Sequence, residues 1–247
     1  MANTLQLPII DLSSSDLPST IDSIHQACVH FGFFYLINHG IQEDLLKSVF
    51  DESRKFFSLP LEEKMKLPRK EDRGYGPLYA EKLDPSTKGD SKETFHIGPI
   101  DDKSTVSHLN QWPSRGHLDG ETFGASAHSD YGMITLLATD GIGGLQVCRE
   151  KNKEPQIWED VHHIHGAVIV NIGDMMERWT NCLFRSTLHR VMPTGQERFS
   201  VAFFLDPADD CIVECLESCC SESNPPRFPP IRSGDYLKEK FMMTYGS

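Results

Sequence analysis

Residues 128–147 read HSDYGMITLLATDGIGGLQV, two short apolar runs separated by a turn-forming Asp140-Gly141 step. Similar runs follow at AVIVNIG (167–173), STLHRVM (186–192) and RFSVAFFLDP (198–207), each bounded by Gly, Asp, Asn or Pro. Short strands at this spacing predict an all-β sandwich or barrel for the second half of the chain. Upstream the pattern is mixed. LPIID (7–11) predicts a strand, and from Thr20 the residues Ile21, Ile24, Cys28 and Phe31 recur at helical spacing. FGFFYLINHG (31–40) suits a buried strand. A second helix is expected over 42–57, with Leu45, Val49, Phe50 and Phe57 on one face. Ser58 reads as the cap of a short helix with Pro60 near its start. Residues 66–95 predict a polar surface segment around a GYGP turn. Asp174 and Glu177 resemble a capping box for one helical turn, and the tail from Pro225 is proline-rich and then helical. The expected architecture is a helical N-terminal layer around a C-terminal β barrel.

At 247 residues the chain can bury a substantial core, and 38% hydrophobic with 24% charged residues is ordinary globular composition. A net charge of −12 disfavours a phosphate-backbone partner, so no nucleic acid is expected. No apolar run approaches the roughly 18 residues of a membrane span. The start lacks the pattern of a secretory signal, and seven scattered cysteines suit a reducing compartment, so the expected location is cytoplasmic.

The chemistry concentrates in five positions. Residues at i and i+2 of a strand share a face, so His128 and Asp130 can aim at one point. With the distant His189 they make a two-histidine, one-carboxylate set, the facial triad of non-haem Fe(II) oxygenases. The pair alone is weak evidence, because HxD occurs by chance and a strand histidine is often a satisfied core residue. Arg198 and Ser200 share a face of an apolar strand, where an arginine is costly unless paired, and a ligand carboxylate would pair it. The other clusters read as structural. His162, His163 and His165 form a surface loop before a strand. Cys211, Cys215, Cys219 and Cys220 lack the paired spacing of a zinc site and read as reduced cysteines in and after an edge strand. Asp174 and Asn181 serve turns and caps, and His39 sits structurally after a strand.

HSDYGMITLLATDGIGGLQV, VNIGDMMERWTN (170–181), STLHRV and RFSVAFFLDP together resemble the plant-type 2-oxoglutarate- and Fe(II)-dependent dioxygenases of the isopenicillin N synthase-like superfamily. PIIDLSSSD (8–16), HFGFFYLINHGI (30–41) and FFSLPLEEKMKL (56–67) resemble that family's N-terminal region. The resemblance implies an α+β fold with a mainly β core, a double-stranded β-helix (jelly roll) under an N-terminal helical layer. It implies His128, Asp130 and His189 as iron ligands, and Arg198 and Ser200 as the anchor for the distal carboxylate of 2-oxoglutarate. Tyr131, Phe204 and Asp206 match positions that face substrate. The implied cofactors are Fe(II), 2-oxoglutarate and O2, with ascorbate as a stimulant. The implied reaction hydroxylates, demethylates or desaturates a small organic metabolite and releases succinate and CO2.

The chain departs from that pattern at one place. Only RGHLDGETFGAS (115–126) separates QWPS (111–114) from His128 and its preceding Ala127, where family members carry several tens more residues. The usual central helix pair and first core strand are therefore expected to be missing, which would expose apolar surface and an unpaired edge. A monomer is expected, with self-association open through that surface. Residues 1–115 form the expected N-terminal region, 121–215 the jelly-roll core and 216–247 a C-terminal extension. The alternative reading is a truncated, catalytically impaired relative that at most binds metal or a partner. An oxidase of the same fold that spends no 2-oxoglutarate is disfavoured by Arg198 and Ser200.

Overall fold

The computed structural model describes residues 6–82, 89–98, 109–112 and 125–245. Its core is a five-stranded sheet whose first two members come from the N-terminal half. Strand β1 (Ile9–Asp11) pairs in parallel with β2 (Phe33–Ile37), which pairs antiparallel with β8 (Val168–Ile172). Beyond β8 lie β5 (Ile134–Thr139) and then β10 (Ser200–Leu205) at the far edge. A second sheet of three strands, β7 (Glu159–Asp160), β6 (Leu145–Cys148) and β9 (Leu188–Val191), stacks against it. Phe33, Tyr35 and Ile169 of the first sheet pack against Leu145 and Val147 of the second. Two facing sheets are the jelly-roll arrangement, but among the described residues neither closes into the barrel expected from sequence.

The opposite face of the large sheet carries the helical layer. Helix α1 (Leu17–His30) begins earlier than its apolar spacing suggests, because Asp16 caps it by accepting the Ser19 N–H at 3.1 Å, and Pro18 suits the first turn. Ala27 and Cys28 pack on Phe34, Val170 and Ile172, whereas Ile21 is 58% exposed. Helix α2 (Glu43–Phe57) turns Phe50, Leu46 and Phe57 toward Ala138 and Phe199, and leaves Leu45 in solvent. Ser58 closes α2 instead of opening the next helix, its hydroxyl donating to the Arg54 carbonyl, and Pro60 is the cap of α3 (Leu61–Lys64).

The 66–95 region also departs from expectation. Gly74–Gly76 is strand β3, paired with β4 (Thr94–His96), and Tyr75 is only 1% exposed. Tyr75 packs on Phe56 and Leu59, so a distant aromatic cluster buries a segment that is polar in sequence. Helix α4 (Asp174–Trp179) starts from Gly173 with no capping box: Glu177 is taken by the Ser186 N–H and by Lys151. The proline-rich tail adds a small pair, β11 (Ile212–Val213) with β12 (Ile231–Arg232), before α5 (Ser233–Tyr245). Asn181, at φ 52°, sits in the predicted turn and pins this tail, donating to the Pro225 carbonyl and accepting from the Arg227 N–H.

Segment 113–124, where the shortening is expected, lies outside the described residues. Strand β10 pairs only with β5 among the described residues, and Phe203 (59% exposed), Phe204 and Leu205 stand in solvent. No α-helix occurs between α3 and α4 among the described residues.

Candidate metal centre and co-substrate anchor

His128 and His189 are brought together by backbone pairing. Each donates its N–H to the other's carbonyl, at 2.9 and 2.8 Å, which extends β9 by one bridge. The approach of the segment leading into β9 requires Gly32, at φ 65°, since a Cβ there would lie 2.0 Å from the Arg185 carbonyl oxygen. Asp130 follows the bridge in a turn whose carbonyls satisfy the start of α4: Asp130 C=O accepts the Asp174 N–H at 2.8 Å and Gly132 C=O the Met175 N–H at 3.0 Å. The turn is thereby fixed from two sides.

Asp130 Oδ1 lies 3.5 Å from Nε2 of both His128 and His189. The three ligand atoms fall within 4.8 Å of one another, the one such His/Cys/Asp/Glu group among the described residues. The other carboxylate oxygen, Oδ2, accepts from Thr135 Oγ1 at 2.5 Å and Asn171 Nδ2 at 2.7 Å. Both Nδ1 atoms are engaged by backbone carbonyls, His128 with Ser126 at 2.7 Å and His189 with Thr187 at 3.2 Å. A carbonyl partner fixes the tautomer with the proton on Nδ1, which leaves the Nε2 lone pair for a metal. Two imidazoles and one carboxylate oxygen converge with their other polar atoms already satisfied. This donor set fits a divalent first-row metal.

Charge couples the three groups: burial alone would lower the His189 pKa, but Asp130 outweighs burial and raises it, so a metal entering here displaces a proton from that ring. Burial alone would raise the Asp130 carboxyl, but the facing His189 and His128 rings outweigh it and hold it well below the usual carboxylate range. Burial, reinforced by His189, lowers His128 and so favours its neutral, ligating form.

Arg198 precedes β10 and donates from Nε to the Ile142 carbonyl at 3.2 Å. Its Nη2 is buried without a hydrogen-bond partner. A buried, unfilled guanidinium nitrogen is expensive, and a carboxylate is the ligand that fits a planar fork. Burial lowers the Arg198 pKa and the nearby Asp140 opposes that shift. Ser200 is two residues on, opposite Thr139 in the β10–β5 register, and is exposed in place of the buried setting its sequence suggests, β10 having no second partner strand among the described residues. Ala202 and Phe204 pair with Leu137 and Thr135, on the face that also bears the Thr135 contact to Asp130.

The remaining sequence candidates separate. Phe204 is on the site-facing side of β10 but 53% exposed. Asp206 follows that strand and lies over Gly132, where a Cβ would meet its Oδ1 at 1.9 Å. Burial, with Asp130 and Asp209 nearby, raises its carboxyl. Tyr131 turns toward α5, its hydroxyl 2.5 Å from Thr244 Oγ1 and its ring edge-on to Phe241. His162, His163 and His165 occupy the exposed loop before β8, and all seven cysteines are free. Sequence reasoning missed Thr135 and Asn171. The available signal was a lone polar residue inside each of two apolar strands, at facing register positions.

Facing sheets with a buried His-Asp-His cluster and an unfilled arginine fork define a non-haem iron oxygenase of the keto-acid-using class. The comparisons agree. Residues 7–115 match the family described as non-haem dioxygenase in morphine synthesis N-terminal, and residues 87–207 match the 2OG-Fe(II) oxygenase superfamily. Kihadalactone A synthase LFS of Citrus sinensis is 36% identical over 305 residues, covering 95% of this chain and 91% of that protein. Azadirone synthase LFS of Melia azedarach is 35% identical, covering 95% and 92%. A full-length Neurospora crassa protein solved with alpha-KG superposes at a TM-score of 0.81 with 27% identity, covering 98% of each chain. The chain belongs to the 2OG-Fe(II) oxygenase superfamily, and is an Fe(II)- and 2-oxoglutarate-dependent oxidoreductase acting on a small metabolite. The 305-residue alignment with the Citrus protein exceeds the 247 residues of this chain, so that relative carries residues this chain lacks.

Proposed function

We propose that His128, Asp130 and His189 hold Fe(II), and that Arg198, assisted by Ser200, holds the distal carboxylate of 2-oxoglutarate. The observation that carries this reading is the pairing of a convergent donor set, its carboxylate held by Thr135 and Asn171, with a buried guanidinium nitrogen that has no partner. With O2, the bound iron and keto acid would supply the oxidising chemistry, the keto acid leaving as succinate and CO2. The protein's own share is positional. Asp130 stays ionised, both imidazoles present Nε2, and Arg198 orients the co-substrate through its fork.

The substrate is read as a small organic metabolite of plant secondary metabolism, hydroxylated, demethylated or desaturated. The names of the Citrus and Melia relatives, both synthases, support this class. So does the apolar site-facing side of β10, with Ala202 and Phe204, while Asp206 and Tyr131 are secondary candidates for substrate contact. We read 1–115, 121–215 and 216–247 as regions of one folding unit, since β1 and β2 pair into the same sheet as the core. Seven free cysteines support a reducing, cytoplasmic setting, and the −12 charge supports the absence of a nucleic-acid partner. No helix among the described residues is long and apolar enough to cross a membrane.

The second reading, an impaired relative, draws on the exposure of Ser200 and on β10 having no second partner strand among the described residues. Anaerobic addition of Fe(II) and 2-oxoglutarate separates the two. A weak visible charge-transfer band, lost in Arg198→Ala at the same 2-oxoglutarate concentration, supports the working enzyme. A cooperatively folded chain that gives no band is the impaired relative. Succinate release across a metabolite panel then identifies the substrate.

A further inference from the structure

Asp140 directly follows β5 with its side chain only 5% exposed, yet it touches none of the metal ligands in the described contacts. Its carboxylate is spent on backbone. Oδ2 accepts the Phe199 N–H at 2.9 Å, and Oδ1 accepts the Ile142 N–H at 3.2 Å. The Asp140 N–H in turn donates to the Phe199 carbonyl at 3.2 Å, so residues 140 and 199 are locked in both directions. Phe199 is the residue after Arg198, and Ile142 supplies the carbonyl that takes Arg198 Nε. Gly141, at φ 96°, permits the tight turn that brings both ends to one carboxylate.

Arg54 of α2 completes the arrangement. Its Nη2 lies 3.9 Å from Asp140 Oδ2 and its guanidinium sits 5.4 Å above the Phe199 ring. Asp140 therefore has its charge answered from the helical layer and its lone pairs filled by N–H groups. It does not need to occupy the Arg198 fork, whose Nη2 stays unpartnered. We propose that Asp140 is a positioning residue for the co-substrate, fixing both the backbone that carries Arg198 and the carbonyl that orients its guanidinium. This rests on reading Arg198 as the 2-oxoglutarate anchor.

The test is a double-mutant cycle on the full chain loaded with Mn(II), with 2-oxoglutarate binding measured by calorimetry. Asp140→Ala should weaken 2-oxoglutarate binding about tenfold in the wild-type background, as loss of buried, charge-assisted hydrogen bonds would predict. It should weaken binding no further in an Arg198→Ala background, and should leave Mn(II) affinity unchanged. Asp140→Asn, which keeps one acceptor oxygen, should fall between and serves if the alanine variant does not fold. Unchanged 2-oxoglutarate affinity overturns the proposal. So does an equal loss in both backgrounds, or a parallel loss of Mn(II) affinity. If Arg198→Ala alone leaves 2-oxoglutarate affinity intact, the anchor reading itself fails, which the cycle distinguishes from a failure at Asp140.

Discussion

Thr135 and Asn171 stand directly opposite each other on β5 and β8, and both donate to the same oxygen of Asp130. Two donors on Oδ2 leave Oδ1 as the free oxygen facing the imidazoles, so the pair sets which atom is presented to a metal. Outer-shell partners of this kind change metal affinity about 10-fold to 100-fold when removed. Asn171→Ala should therefore weaken Mn(II) binding by that order while the protein remains folded. Titration of Mn(II) followed by electron paramagnetic resonance measures it. Wild-type affinity in the variant would mean that Asp130 needs no help from β8.

Metal should also act as a folding ligand. The three donors come from the 128–130 turn and from β9, segments joined in the native state by the His128–His189 bridge. An ion that binds this assembly and not the unfolded chain stabilises it by about 2.7 kcal/mol at a hundredfold excess over Kd. For a chain of this size that predicts a rise in Tm of roughly 5–11 °C. Asp130→Asn should abolish most of the rise, whereas Asp206→Asn should retain it. A Tm insensitive to Mn(II) in the wild type would remove the cluster from consideration as a metal site.

Strand β10 carries a different liability. Its sequence SVAFFL has no charge and no proline, and Phe203, Phe204 and Leu205 are 59%, 53% and 44% exposed. An apolar edge of this kind is a template for association. We expect a monomer at low concentration and a concentration-dependent increase in mass by analytical ultracentrifugation. Phe203→Lys should suppress the increase without weakening metal binding, because residue 203 lies on the face away from Thr135. A wild-type chain that stays monomeric throughout would show that this edge is covered.

The chain order of strands was legible because each is a short apolar run cut by turn residues, a local signal. Position in the sheets was not. Nothing in FGFFYLINHG states that β2 bridges β1 and β8, although its burial on both faces is written in its continuous apolar content. Tyr75 was missed for a related reason: GYGP reads as a turn until Phe56 and Leu59, from other elements, bury it. At the site, His128, Asp130 and His189 were readable from spacing and residue type, and the structure brings them together. The orientation of Tyr131 was not, since it depends on contacts with Thr244 and Phe241 more than a hundred residues away. Thr135, Asn171 and Asp140 act through register and turn geometry, which one-dimensional pattern does not carry.

Glu81 offers a prediction for acid stability. Its side chain is 7% exposed and is met by Lys92 Nζ at 2.7 Å, His96 Nε2 at 3.2 Å and Arg69 at 3.5 Å. Burial pushes its carboxyl up, but His96 and Lys92 outweigh burial and the net shift is downward from the ordinary 4.5. A carboxyl with a lowered native pKa stabilises the fold fully above its unfolded value, and that contribution is lost as pH falls below it. Glu81→Gln should therefore cost about 2 kcal/mol at neutral pH, because it weakens charge-assisted hydrogen bonds while Lys92 and Arg69 keep Asp90 and Asp72 as partners. The gap between variant and wild type should narrow as pH is lowered below 4.5. Urea unfolding of both proteins at pH 7 and at successive acid steps reads this directly, and a gap constant with pH would assign the loss at Glu81 to packing instead of charge.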